Sequence, residues 1–154
     1  VNLGFSGSGK GEPEIAHLIN EIPDKSLVVL DFECNTHESL RELLAPFIEV
    51  LRGADKNVPI LVISRIPLQR DHVEKALLKR RALRDFQKSL VEKLRTEGDS
   101  RIFFQDGETL LDPRWTDEAT VDGTHPTDLG FLMMAERLEP TIRRILATTE
   151  ADSR

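Results

Sequence analysis

Residues 27–36 read LVVLDFECNT. The run LVVLDF at 27–32 is apolar up to an acid near its end and too short for a buried helix. It predicts a strand covered on both faces. Two runs of the same kind lie downstream, PILVIS at 59–64 and RIFF at 101–104, and VNLGF at 1–5 is a fourth strand candidate.

Helical periods separate these runs. Residues 13–22 carry Pro13 near the first turn and Ile15, Leu18, Ile19 and Ile22 on one face. Residues 38–52 turn Leu40, Leu43, Leu44, Phe47 and Leu51 inward, with Pro46 able to bend or divide the helix. Residues 71–97 form a long helix with Val73, Leu77, Leu83, Phe86, Leu90 and Leu94 along one side. An irregular stretch at 105–126 leads to a last helix at 127–147, with Thr127 as its N-cap. Alternating strands and helices predict an α/β fold, a three-layer sandwich around a parallel sheet. Ligands bind at the C-terminal ends of such strands. Residues 4–9, 31–36, 64–68 and 105–125 all follow strand ends and are expected to share one rim.

The chain has 154 residues, a length that suits one domain. Its net charge of −6 argues against nucleic acid as a partner, because phosphate binding wants clustered Lys and Arg. No apolar run reaches the roughly 20 residues that span a bilayer. The single cysteine, Cys34, excludes an internal disulfide and reads as a small buried residue. The basic stretch from Lys75 to Lys88 reads as a solvated helix face. His17, His37 and His72 show no metal-ligand spacing, so neither metal nor cofactor is expected. Trp115 and Phe104 flank the loop before Asp122 as pocket-wall candidates.

Two stretches carry candidate chemistry. In GFSGSGKGE, residues 4–12, Gly4, Gly9 and Lys10 imitate a phosphate loop, but Gly11 stands where that loop needs a hydroxyl. Glu12 and Glu14 follow, and acids there would repel a polyphosphate. In DGTHP, residues 122–126, an acid and a histidine lie three apart in a turn before a helix. Asp122 can orient the imidazole of His125, and His125 can take a nucleophile's proton. Asn35, just beyond a strand, can donate to a developing oxyanion. Gly7 can present a backbone N–H to the same point.

Together these stretches resemble the SGNH hydrolase superfamily, the GDSL-type esterases and acylhydrolases, and in particular a bacterial GDSL-like subgroup. NLGFSGSGKGEPE is similar to the family's second block, LVVLDFECNT to the third and VDGTHPTDLGF to the last. The resemblance implies a flavodoxin-like fold with a catalytic pair, Asp122 and His125, and an oxyanion hole of Gly7 and Asn35. It implies a serine esterase acting on short acyl esters, carbohydrate O-acetyl esters among them. The third block departs from G-x-N-D, reading Glu33-Cys34-Asn35-Thr36.

The first block, a G-D-S with the nucleophilic serine, has no counterpart here. Asp99-Ser100 has the wrong context, and Ser6, Ser8 and Ser64 lie where the family does not place its nucleophile. The expectation is a fold lacking its first strand, spanning residues 1–148 with a disordered tail at 149–154, and a nucleophile encoded before Val1. In the family's order, 2-1-3-4-5, that strand is internal. Without it the chain is expected to be poorly stable or to aggregate. Two rival readings are a non-catalytic SGNH-like binding module and a phosphate-loop nucleotide binder. The ester, the compartment and the oligomeric state are not assigned.

Overall fold

The run at 59–64 becomes the middle strand of the sheet, Ile60–Ile63 (β2), and each of its residues is buried. The computed structural model describes residues 1–151, with side chains through residue 148. In it β2 pairs with Val28–Leu30 (β1) on one side and Ile102–Gln105 (β3) on the other. Both ladders are parallel, the order is β1-β2-β3, and Val29, Leu61 and Phe103 lie in register. The helices are Pro13–Glu21 (α1), Glu33–Thr36 (α2), Leu40–Ala54 (α3), Glu74–Thr96 (α4) and Asp128–Ala151 (α5).

Successive residues of a strand point to opposite faces, so each strand feeds two cores. Ile60 and Val62 join Val28, Leu30 and Ile102 in one core, closed by Ala16 of α1, Leu44 and Phe47 of α3 and Val91 of α4. Leu61 and Ile63 join Leu110 and Leu111 in the other, closed by Met134, Leu138 and Ile145 of α5. The result is the expected α/β/α sandwich.

Residues 1–5 differ from expectation: they form no strand and lead into a 3₁₀ turn at Ser6–Ser8. A parallel strand exists only where a neighbour takes its N–H and C=O groups. The outer edge of β1 is separated from residues 1–5 by an open cleft of about 1130 Å³, lined by Leu3, Val29, Phe32, Phe131 and Leu146 among others. Val28 N donates to Pro59 O, so the backbone groups of Val29 face away from β2 toward that cleft. The Val29 side chain is 45% exposed, although both of its strand neighbours are buried.

Other boundaries shift for local reasons. The run at 27–32 shortens to β1 because Phe32 already caps α2. Pro46 sits inside α3 without dividing it. A 3₁₀ turn at Gln69–His72 precedes α4, which leaves Val73 exposed and brings Val91 into the core. The basic stretch is not uniformly solvated: Arg80 is buried against Asp71. Thr127 caps α5, accepting from Gly130 N at 3.2 Å. The helix continues to Ala151, so the tail expected from 149 begins inside it; residues 152–154 lie outside the described residues.

An unpaired strand edge with an exposed apolar residue is a template for pairing with another chain. The 154-residue chain is therefore expected to self-associate, and Val29→Lys to lower its light scattering several-fold at equal concentration. A monomeric, cooperatively melting unmodified chain would contradict this.

Candidate functional site

Hydrogen bonds at the C-terminal ends of the strands bring the four expected rim segments together. Asn35 on α2 donates through Nδ2 to Ser6 O at 2.8 Å and to Gly9 O at 3.0 Å. Arg65 N, just after β2, donates to Glu33 Oε2 at 2.8 Å. Ser64 N donates to Gln105 O at 3.1 Å, and Gln69 N to Gly123 O at 3.0 Å.

The acid–histidine turn is closed by its own residues. Asp122 Oδ1 accepts from Thr124 N at 3.0 Å and His125 N at 2.8 Å, while Oδ2 lies 2.7 Å from His125 Nδ1. A carboxylate can only accept, so Nδ1 carries a proton, and in the neutral ring Nε2 is the nitrogen with the lone pair. Val121 N donates to His125 O at 2.8 Å, which closes the turn from outside. Gly123 is required here: its φ is +77°, and a Cβ would lie 2.5 Å from Gln69 Oε1. The backbone N–H of His125, then its ring, hold the Asp122 carboxyl down at about 2 from an ordinary 3.8. The ring itself is open to solvent, 78% exposed.

The glycine loop is held differently from the sequence reading. Gly7 stands clear: a Cβ there would meet nothing within 4 Å. Positive φ values fall on Ser6, at 53°, and on Gly11, at 73°, rather than on Gly7. Both hydrogens of the Asn35 amide are engaged with this loop, so Asn35 acts here as a clamp on residues 6–9. Among the described residues, no hydrogen bond joins the His125 ring to Asn35, to residues 6–9 or to a serine hydroxyl. Ser64 is buried, and its Oγ accepts from Gly107 N at 2.9 Å. Residues 1–5 form no strand, and Lys10 N turns onto Glu12 Oε2 at 3.0 Å, so the described residues do not make the strand–loop–helix frame of a phosphate loop.

Asp31 lies in the cleft beside Asn35. Protein crowding around its carboxyl, and then the charge of Glu33, push its pKa up to about 6. Cys34 reaches the surface rather than the core. Crowding by protein, then Asp31, raises its thiol to about 11, which keeps it protonated and a poor nucleophile at neutral pH. Phe104 packs on the first core, and neither it nor Trp115 lines the cleft. Sequence reading missed Glu33, Arg65, Asp71 and Arg80, which join into one buried ion-pair cluster below this rim. Their separation along the chain leaves no local signal.

The sequence profile of the GDSL-like Lipase/Acylhydrolase family matches residues 1–143. Among solved structures, a Bacteroides ovatus ATCC 8483 protein described as a GDSL-like lipase is 32% identical, with a TM-score of 0.85 over 96% of this chain and 43% of its own. The salicylyl-acyltransferase SsfX3 of a tetracycline biosynthetic pathway is 22% identical, with a TM-score of 0.72 over 94% of this chain and 43% of its own, a likeness of fold. The chain thus spans less than half the length of both structures. No curated protein matches it.

The turn makes a prediction about titration. A folded pKa below the unfolded value means that the pair's stabilisation is complete above about pH 4 and is lost as pH falls through about 2. A carboxyl-carbon NMR titration is expected to place Asp122 near 2. His125→Ala should raise it only part of the way, since the backbone donors at 124 and 125 remain. An Asp122 that titrates at 3.8 in the unmodified chain would show the pair to be absent in solution.

Proposed function

The chain belongs to the GDSL-like lipase/acylhydrolase family, and on that premise we propose that it carries the acid–base and oxyanion parts of a serine acylhydrolase. The observation that supports this most is the Asp122–His125 pair, which leaves Nε2 free at the rim. The nucleophilic serine is supplied by a segment encoded before Val1, lying along the open edge of β1 with its C-terminal end at the rim. The cleft, the exposed Val29 and the unpaired residues 1–5 favour that placement.

The seryl hydroxyl adds to the ester carbonyl as His125 Nε2 takes its proton. The carbonyl π pair moves to oxygen, and the Gly7 N–H and Asn35 Nδ2 stabilise the oxyanion. Asn35 must release Ser6 O or Gly9 O to donate there. Collapse expels the alkoxide, which leaves as an alcohol with the proton from His125. Water then repeats the sequence on the acyl-enzyme, giving the acid and restoring the serine. Asp122 holds the ring's tautomer and stabilises the imidazolium. The substrates are small-molecule or carbohydrate esters with short acyl groups. An alcohol in place of water would make the same site an acyltransferase, as the fold likeness to SsfX3 illustrates.

The test is turnover of p-nitrophenyl acetate by the intact reading frame. His125→Ala is expected to lower kcat by about 10⁶-fold, and Asn35→Ala by about 10²–10³-fold. Unchanged turnover in His125→Ala would defeat the reading. An intact frame with no serine in its preceding segment and no turnover would favour a binding module.

A further inference from the structure

The two halves of the rim, Asn35 with its glycine loop and Asp122 with His125, share no direct hydrogen bond, yet a route through the buried ion-pair cluster connects them. Glu33, two residues before Asn35 on α2, is 2% exposed. Its Oε2 accepts from Arg65 N at 2.8 Å and from Gln87 Nε2 at 2.7 Å. Its Oε1 has no hydrogen bond and faces Arg65 Nε at 3.8 Å. The Arg65 guanidinium donates to Asp71 Oδ1 at 3.0 Å. Asp71 Oδ2 accepts from Leu68 N at 2.9 Å and lies 3.0 Å from Arg80 Nε. That closes the turn containing Gln69, and Gln69 N grips Gly123 O at 3.0 Å. Gly123 sits between Asp122 and His125.

We propose that Glu33, Arg65 and Asp71 are positioning residues that hold the Asn35 arm and the Asp122–His125 turn in fixed relation. The four-residue α2 is too short to hold itself, so its orientation comes from its contacts. Glu33 anchors one end of it on Arg65 and Gln87. Gly123 is tied to this turn by the bond from Gln69 N and lies close against it, a Cβ at Gly123 falling 2.7 Å from the Gln69 Cβ. A displacement at Asp71 therefore passes to the turn instead of being absorbed. Removing one member leaves the buried charge of another without its partner. The catalytic consequence rests on the function proposed above; the mechanical coupling does not.

The test has two arms. In the first, Glu33→Gln is introduced into the intact reading frame, keeping shape and removing charge. NMR then follows the Asn35 side-chain amide, the Gly123 amide and the His125 ring nitrogens. All three are expected to shift, whereas Arg52→Lys, which disturbs a partly buried pair with Asp99, should move none of them. Shifts confined to Asn35 would overturn the proposal. Should Glu33→Gln fail to fold, Asp71→Asn, which keeps an acceptor for Leu68 N, carries the same test. If both variants unfold, the cluster is a stability element and the proposal is overturned.

In the second arm, Glu33→Gln in the intact reading frame is expected to lower kcat by about tenfold to a hundredfold. KM should stay within about twofold. An unchanged kcat would defeat the catalytic role. An inactive unmodified protein would instead defeat the function reading, with the resonance arm still deciding the coupling.

Discussion

The structure depends on β2 being buried on both faces and paired on both edges. With Ile60 and Val62 on one side and Leu61 and Ile63 on the other, the strand puts two buried residues into each of the two cores. Its central place in the order also decides what the next residues can touch. The segment after β2 emerges between the segments after β1 and β3. Arg65 can therefore reach Glu33 on one side while Ser64 meets Gly107 and Gln105 on the other. The convergence at the rim is a consequence of strand order before it is a matter of individual side chains.

What could be read from the sequence follows the range of the interactions involved. Apolar runs and helical periods are local, so β1 to β3, α1 and α3 to α5 emerge near their expected places. The Asp122–His125 pair is also local: three residues of spacing and one flexible glycine suffice to close it. Residues 1–5 have the composition of a strand but no partner, and pairing is a property of two segments. Arg80 looked like part of a solvated stretch because its partner, Asp71, sits beyond the start of α4. The place of Asn35 after a strand marks it as a potential donor. Its present acceptors, Ser6 O and Gly9 O, lie 29 and 26 residues away and had no sequence signal.

The buried ion-pair cluster and the Asp122–His125 turn differ sharply in exposure. Asp122 and His125 stand in solvent, where an imidazole can exchange protons. Glu33, Arg65 and Arg80 are almost wholly buried, where a mispaired charge is costly. Apolar side chains of similar volume would fill that space at lower desolvation cost. They would not set direction: a carboxylate that accepts a backbone N–H and a side-chain amide has few orientations open to it, whereas a methyl contact tolerates sliding.

That difference bears most on α2, which carries Asn35 but is a single turn long. Burial of Thr36 and Glu33 fixes which side of the turn faces inward. The bonds of Glu33 to Arg65 N and Gln87 fix its rotation. The left-handed conformation of His37, with φ at 49°, then breaks the chain away before α3. A longer helix would have spread these constraints over several turns and an apolar face. Here one buried carboxylate carries them, and it does so from the segment that also clamps the glycine loop.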